Sequence, residues 1–337
     1  MAPRNPLAAR AYGAALAHSL ACCMACTFAL AGFTGAARAQ GYPNKPIRII
    51  VPYAAGGFSD QATRAIADAL AHDLGQPVLI ENRGGGGGRI GADAIAHMVP
   101  DGYNLLLTTN GTHTYMAVTE KDLSYDPIKD FTPISEIASY GLLMVINPAV
   151  PATNLQEFIA YAKKNPGKLS YASSGPGSGL HFAGEVFKAM AGVDMVHVPY
   201  KGSGPGLIDV LANNCQLIFA GEAKPYVDAG RLRLLGTTSA ARDPRFPNMP
   251  TIGEAGLPGY DLTYWIGFFG PPGLPAEVRN RLSPAVTNIL RDPALKKRFA
   301  EMGLVTVGST PEQLVEQIRA ETVKLRGVAA GMAGGVN

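Results

Sequence analysis

Residues 47–60 read IRIIVPYAAGGFSD and decide the fold. The first five are apolar and β-branched apart from Arg48, which is typical of a buried strand. Pro52 and the two glycines end that strand, and apolar residues at helical spacing follow from Asp60 to Leu74. A strand, a glycine-rich turn and a helix in this order indicate the start of a parallel α/β sheet.

The same alternation extends along most of the chain. Further strands are predicted at residues 78–80, 103–108, 142–146, 169–172, 195–198, 217–219, 232–236 and 263–270. Helices are predicted between most of them and at residues 276–290, 293–302 and 311–327. We expect two α/β domains, residues 40–141 with 262–337 and residues 142–261, because the chain leaves the first domain near 142 and returns near 262. Two hinge crossings would then join the domains.

The N-terminal segment reads as an export signal. Arg4 and Arg10 precede an apolar stretch over residues 11–33, and Ala37-Arg38-Ala39 is a small-x-small cleavage site. We predict that residues 1–39 are a cleaved signal peptide and that the mature chain is periplasmic. Cleavage removes three arginines and no acidic residue, so the formal charge falls from +3 to 0. It also removes three of the four cysteines, which leaves Cys215 alone.

Composition excludes several classes of protein. The 337 residues are 47% hydrophobic and 16% charged, too little charge for a disordered chain or one that coats nucleic acid. We therefore expect no nucleic-acid partner. The 40 glycines show no fixed period, so they predict tight loops rather than a collagen helix.

Two loops between a strand and a helix are candidate ligand sites. Loop one, residues 53–60, places two glycines before a helix start, where free N–H groups and the positive end of the helix dipole suit a carboxylate. Asp60 in this loop is equally read as a helix cap. Loop two, residues 173–179, offers three hydroxyls and backbone N–H groups, and an ordinary turn is its alternative. If the two loops lie in different domains, they could hold one ligand across a cleft.

Three other positions have two readings each. His181 lies one turn after loop two and could donate to a ligand, or could be an ordinary helix-face histidine. Lys201 could add positive potential from a third strand-end loop, or could lie on a solvated turn. Trp265 could pack at the returning hinge crossing or stack on a ligand.

Catalytic and cofactor signals are weak. The glycine run at residues 84–88 lacks the Lys-Ser/Thr pair of a P-loop and follows the second strand, so nucleotide binding is not expected. No histidine has metal-ligand spacing with another histidine or a cysteine. Ser59 and Ser174 lack a hydrolase elbow, and Cys215 reads as a partly buried structural thiol. We predict neither a metal, nor a cofactor, nor an enzymatic activity.

Many short motifs, in order, make the chain resemble a known family. They are Tyr42–Ile47, Val51–Gly57 with Asp60, Glu81–Arg83, Pro100–Tyr103, Tyr125–Pro127 with Asp130-Phe131, Asn165–Leu169, Val198–Gly202 and Ala229–Arg233. From about residue 41 to 325 the sequence resembles the Bug-type solute-binding receptors of tripartite tricarboxylate transporters. The resemblance implies a two-domain periplasmic binding protein fold, type II-like, with the ligand cleft between the domains. It also implies a monomer that delivers a dicarboxylate, tricarboxylate, acidic amino acid or aromatic acid to membrane transporter subunits.

The resemblance assigns one carboxylate of the ligand to loops one and two, often with ordered water. The residues that take this role by position are Gly56, Gly57, Phe58, Ser59, Asp60, Ser174, Gly175, Gly177 and Ser178. Tyr53, Asn110, His181, Lys201 and Glu222 complete the predicted ligand-binding set. The segment 221–224, Gly-Glu-Ala-Lys, is shorter than usual in the family and carries two opposite charges, so we expect it to shape the distal part of the ligand site.

Two other functions stay open at this point. The chain could be the ligand-sensing partner of a membrane signalling kinase. It could also be an exported hydrolase that uses Ser59 or Ser174, if folding brings a histidine or an aspartate close to either hydroxyl.

Overall fold

The structure is a computed structural model that describes residues 41–333, with side chains described to residue 326. The described residues from Lys45 onward belong to one compact unit. The predicted signal peptide lies outside the described residues. Within the described part of the chain, no helix combines the length and apolarity needed to cross a bilayer.

Eleven strands and ten α-helices are described. The strands are β1 (Ile47–Val51), β2 (Val78–Asn82), β3 (Asn104–Thr109), β4 (Thr132–Tyr140), β5 (Leu143–Ile146), β6 (Ser170–Ser173), β7 (Val196–Pro199), β8 (Leu217–Ala220), β9 (Arg233–Thr237), β10 (Tyr264–Gly270) and β11 (Val305–Thr306). The helices are α1 (Phe58–Leu74), α2 (Arg89–Ala96), α3 (Met116–Thr119), α4 (Leu155–Lys164), α5 (Gly179–Ala191), α6 (Ser203–Leu211), α7 (Lys224–Asp228), α8 (Ala276–Arg291), α9 (Pro293–Met302) and α10 (Pro311–Ala333).

The strands form two mixed sheets. The first has the order β11-β4-β10-β3-β1-β2 and the second the order β7-β6-β8-β5-β9. In the first, β1 lies parallel between β2 and β3, as its sequence predicts, while β10 pairs antiparallel with β3 and β4. In the second, β6 lies parallel to β7 and β8, and β5 pairs antiparallel with β8 and β9. The α/β class is therefore confirmed, but neither sheet is purely parallel.

The chain passes between the sheets twice. It leaves the first sheet after Tyr140, enters the second at Leu143, and pairs with the first again from Tyr264. The exact domain limits given above stay a prediction. The sequence reading missed β4, because Ser135 and Glu136 are buried polar residues that interrupt the apolar pattern of this nine-residue strand.

Each sheet has its own apolar core. Ile50, Leu106, Trp265 and Phe269 belong to the cluster on the first sheet. The cluster on the second sheet contains Cys215, which is buried and free, in agreement with a structural role for this thiol. Full burial of such side chains contributes about 1.5–3 kcal/mol each, which fixes the sheets as rigid supports for the loops that leave them.

The loops at the carboxyl ends of β1 and β6 each lead into a helix. Gly57 is the N-cap of α1, in extended backbone and with no side-chain hydrogen bond, so the first N–H groups of this helix receive no cap of their own. Ser178 caps α5, and its Oγ accepts from the His181 backbone N–H at 3.3 Å. Both helices thus begin where a ligand at the strand ends would lie.

Candidate functional site

A cavity lies where elements of both sheets meet; its empty space is about 440 Å³ when the part open to solvent is counted. Its lining comprises Tyr53, Phe58, Ser59, Thr109, Tyr140, Leu142, Ser174, Ser178, Gly179, Leu180, Ser203, Phe219, Ala220, Gly221, Glu222 and Tyr264. Six of the predicted ligand-binding residues are among them, namely Tyr53, Phe58, Ser59, Ser174, Ser178 and Glu222.

In loop one, Asp60 holds the backbone rather than lining the cavity. Its Oδ2 accepts from the Gly56 N–H and from Arg64 Nε, each at 2.9 Å, and its Oδ1 accepts from Asn82 Nδ2 at 3.1 Å. Burial raises the pKa of Asp60, but these hydrogen bonds outweigh it, so the pKa lies below its ordinary value. The Asp60 carboxylate is therefore charged and clamps the turn that precedes α1. It acts neither as the N-cap, which is Gly57, nor as a lining residue.

In loop two, two histidines take a similar supporting role. His181 Nδ1 accepts from the Gly177 N–H at 3.2 Å, and the His181 ring stacks on His197 at 4.3 Å. His197 Nε2 hydrogen-bonds Ser173 Oγ at 2.5 Å, and the same Oγ accepts from the Gly175 N–H at 3.0 Å. Burial lowers the pKa of both histidines, that of His197 to about 4, so both rings are neutral and can act as acceptors at pH 7.

The two sides of the cavity contact each other directly through their loops. The Ala54 N–H donates to the Lys201 carbonyl at 2.9 Å, and the Phe58 N–H donates to Ser203 Oγ at 3.3 Å. Ser203 thus supplies from the second sheet the cap that Gly57 does not give to α1. A Cβ at Gly57 would lie 2.9 Å from the same Ser203 Oγ, so a larger residue there would push this hydroxyl away from the Phe58 N–H.

The glycine run at residues 84–88 makes a second contact across the cavity. A Cβ at Gly87 would lie 2.0 Å from the Pro176 carbonyl oxygen, and one at Gly175 would lie 2.8 Å from the Gly87 nitrogen. These glycines let two backbones touch. The run therefore serves contact between loops, which fits the sequence argument against a phosphate site.

The cavity wall is mainly apolar and aromatic. Phe58 packs on Tyr140 with ring centroids 4.7 Å apart, and Tyr140 packs on Tyr264 at 5.7 Å. Tyr264 Oη donates to the Gly179 carbonyl at 3.0 Å, and Tyr53 Oη shares a 2.9 Å hydrogen bond with Thr109 Oγ1. Burial raises the pKa of Tyr53, so its hydroxyl stays protonated. These pairs fix the aromatic rings and leave a rigid wall.

Glu222 is the only charged side chain among the described residues that line the cavity. Both of its carboxylate oxygens are buried. Burial raises the pKa of Glu222 above its ordinary value, against the opposing effects of the Ser203 hydroxyl, the Glu222 and Phe58 N–H groups and the Arg245 guanidinium. The Glu222 carboxyl thus lies beside the start of α1, where Ser203 Oγ also accepts from the Phe58 N–H.

Several residues that the sequence predicted as ligand-binding, or left with two interpretations, do not line the cavity. They are Gly56, Gly57, Asp60, Asn110, Gly175, Gly177, His181 and Lys201, together with Trp265. Asn110 is buried, and its Nδ2 donates to Tyr115 Oη and Glu321 Oε1. Lys201 is exposed and contributes its carbonyl to the contact with loop one. Trp265 lies in the core of the first sheet with its Nε1 donating to Glu321 Oε2 at 2.7 Å, which favours packing over ligand stacking.

The sequence reading missed eight lining residues. They are Thr109, Tyr140, Leu142, Leu180, Ser203, Phe219, Ala220 and Tyr264, whereas Gly179 and Gly221 lie within the predicted loop two and distal segment. Most belong to strand ends or helix starts that pair only through the tertiary fold. Ser203 alone carried a local signal, since it follows the Lys201-Gly202 loop at the start of α6.

The site offers little for catalysis. Neither Ser59 nor Ser174 has an imidazole partner among the described residues, and the two hydroxyls that do, Thr112 and Ser173, do not line the cavity. No group of described residues could hold a metal ion. The arrangement is suited to binding: two helix N-termini, hydroxyls and an apolar wall around a small space.

Comparison with known proteins gives one consistent result. The profile of the family described as "Tripartite tricarboxylate transporter family receptor" matches residues 62–330. The fold is similar to that of the periplasmic binding protein BugD, with 30% identity, a TM-score of 0.84, and coverage of 87% of this chain and 99% of BugD. It is also similar to Rhodopseudomonas palustris Rpa4515 with adipate, at 34% identity, TM-score 0.83 and 87% and 98% coverage. MatC from the same organism, with bound malate, gives 30% identity, TM-score 0.82 and 85% and 99% coverage.

Proposed function

This chain belongs to the tripartite tricarboxylate transporter family of receptors, and we propose that it binds a small organic carboxylate in the cavity between its two sheets. The observation that carries the proposal is the convergence of α1 and α5, one from each side, on this cavity through Phe58, Ser59, Ser178 and Gly179. Two related structures of the same fold hold adipate and malate.

The carboxylate is bound by the protein backbone and hydroxyls. The described lining contains no lysine, arginine or histidine, so attraction for an anion comes from the N–H groups and the positive dipole ends of α1 and α5. Ser59 and Ser178 can each donate a hydroxyl hydrogen to a carboxylate oxygen. These neutral donors hold the anion without a salt bridge. The rest of the cavity then contacts the distal part of the ligand.

Binding and domain closure are coupled in this proposal. The contacts of loop one with Lys201 and Ser203 form only when the two sides of the cavity are close. A ligand that touches both sides stabilises that arrangement by its differential affinity for it. Membrane transporter subunits would then recognise the closed receptor in the periplasm and take up the carboxylate.

Calorimetry on the purified chain tests carboxylate binding. A thermal-shift screen of small mono-, di- and tricarboxylates should find compounds that raise Tm, because ligands that bind only the folded state stabilise it. Gly57→Val should then reduce affinity for the best compound at least tenfold, since its Cβ would collide with Ser203. Ala55→Val, at an exposed position in the same loop, is the matched control and should bind normally. If no carboxylate raises Tm, the proposal is wrong.

Delivery to membrane subunits is tested separately by uptake. A bacterial strain that lacks this chain should lose accumulation of the radiolabelled carboxylate found in the screen, and the native chain should restore it. Gly57→Val should fail to restore uptake, and Ala55→Val should succeed. Normal uptake in the deletion strain would contradict the delivery role and leave carboxylate binding intact.

A further inference from the structure

A groove lies on the other side of the returning hinge crossing from the ligand cavity, and carboxylate binding does not use it. Residues of α5, of the crossing at 259–263 and of α10 line this hinge groove, whose empty space is about 1050 Å³ when the part open to solvent is counted. Tyr264 lines the cavity, whereas the next residue, Trp265, lines the hinge groove. Because successive residues of a strand point to opposite faces, the cavity and the groove lie on opposite faces of β10 where it begins.

The hinge groove lies directly on the hinge. The Leu262 N–H donates at 2.8 Å to the carbonyl of Thr238, which follows β9 of the second sheet. Asn110, which follows β3 of the first sheet, donates from its Nδ2 to the Thr263 carbonyl at 3.3 Å. The attachment of the crossing therefore changes from the second sheet to the first between Leu262 and Thr263, and both residues line the groove.

The two walls of the hinge groove belong to different sheets. One wall is α5, which packs on β6 and β8 of the second sheet, and the other is α10, which packs on β4 of the first. Glu321 of α10 accepts from Trp265 Nε1 at 2.7 Å and from Asn110 Nδ2 at 2.8 Å, so α10 is fixed to the first sheet. A rotation of one sheet against the other therefore changes the width of the groove.

Helix α5 connects the cavity to the hinge groove. Gly179 at its first turn lines the cavity, and Met190 near its last residue lines the groove, roughly 16 Å further along the helix axis. Between them, the Phe182 ring stacks on Tyr115 of the first-sheet side with centroids 4.6 Å apart. Because this contact lies between the two ends, a rotation that brings Gly179 towards loop one moves Met190 away from α10.

We propose that the hinge groove opens as the cavity closes, so that the side chains filling the groove set the affinity for the carboxylate. This mechanism rests on the proposed function. In the structure, loop one contacts the opposite side of the cavity through Ala54 and Lys201, and the groove is open. Opening of the cavity brings the walls of the groove together, and a bulky side chain between the walls opposes that movement. Because apparent affinity is proportional to the fraction of chains in the binding-competent form, a filled groove tightens binding without touching the ligand.

Two substitutions fill the hinge groove from opposite walls. Ala320→Phe adds a ring on α10 and Met190→Trp adds one on α5, and both positions are exposed residues of the groove lining. Isothermal titration calorimetry with a carboxylate that raises the Tm of the native chain should show at least threefold tighter binding for each variant. Ala300→Phe is the matched control, because it makes the same change at an exposed alanine of α9 outside the groove and the cavity, and its affinity should be unchanged.

Small-angle X-ray scattering without ligand gives an independent measurement. The radius of gyration of ligand-free Ala320→Phe should be smaller than that of the ligand-free native chain and close to that of the native chain with its carboxylate. If both groove variants bind no tighter than the native chain, the mechanism is overturned and the proposed function stands. If the native chain binds no carboxylate, the proposed function fails, and an unchanged radius of gyration in Ala320→Phe then overturns the mechanism as well. If one variant does not fold, the other decides.

Discussion

Substitution of Gly87 by alanine should weaken ligand binding by blocking contact across the cavity. The new Cβ would lie 2.0 Å from the Pro176 carbonyl oxygen, whereas ordinary contacts begin at 3.4 Å, so the loops must separate by about 1.4 Å. The nearby Met116 Cε at 2.7 Å is the end of a flexible side chain and can move. Overpacking of this kind costs about 1–3 kcal/mol, and each 1.4 kcal/mol is tenfold in affinity, so affinity should fall roughly tenfold to a hundredfold.

Gly86→Ala is the control that distinguishes the effect of this collision from the effect of backbone strain. Gly86 has φ +55° and Gly87 has φ +66°, so alanine at either position pays a similar cost of about 1–2 kcal/mol for left-handed backbone. At Gly86, however, the nearest atom to the new Cβ is Arg89 Cβ at an ordinary 3.5 Å, on the same side of the cavity.

The assay combines two measurements on both variants. Urea titration should show the shared cost of left-handed backbone as a loss of unfolding free energy in both variants, and Gly87→Ala should lose up to about 1–3 kcal/mol more from the collision with Pro176. Calorimetry with a carboxylate that stabilises the native chain should show the loss of affinity for Gly87→Ala alone. Equal affinities for the two variants would refute the contact between the glycine run and loop two as part of the binding state.

Three further perturbations test the supports of the site. Asp60→Asn keeps the shape of the side chain but removes a charged hydrogen-bond acceptor. The carboxylate affinity measured by calorimetry should therefore fall several-fold, and the free energy of unfolding by about 1–3 kcal/mol. An unchanged affinity would contradict the role of Asp60 in holding the turn before α1. Burial lowers the pKa of His181 in the folded chain, so acidification should weaken binding as the pH falls through that lowered pKa, because the protonated ring cannot accept from Gly177; an affinity that stays unchanged over the pH range in which the His181 ring becomes protonated would refute this. Arg245→Leu leaves Asp243 buried without its partner, so urea titration should show a loss of about 3–5 kcal/mol, and a loss under 1 kcal/mol would show that the pair adds little.

The sequence predicted the parts of the fold that local pattern determines. β1 and α1 begin and end close to where the apolar run, Pro52 and the glycines place them. β4 was missed, and the antiparallel pairing of β10 was not foreseen, because strand direction in a sheet follows from where the chain re-enters it. The residues of a strand that returns from the second sheet do not indicate which strand it will pair with, or in which direction.

The candidate site divides in the same way. Loops one and two could be found because glycines and hydroxyls at strand ends have a local chemical meaning. The lining contributed by Tyr140, Phe219 and Tyr264 could not, because aromatic residues in strands read as core wherever they occur. Sequence pattern therefore located the end of the cavity where we place the carboxylate, and it left most of the cavity wall unpredicted.

Charged residues around the cavity separate into two roles that the sequence could not distinguish. Asp60 and His181 were predicted to touch ligand, yet each uses its side chain to hold a backbone N–H of the loop that carries it. The end of the cavity that we propose for the carboxylate is thus built from neutral groups, and charged or titratable neighbours maintain the geometry of those groups. Glu222, by contrast, lines the cavity itself, buried beside Ser203 and the Phe58 N–H. Most charged groups near the cavity therefore keep its loops in place, and the neutral donors of those loops are left to contact the ligand.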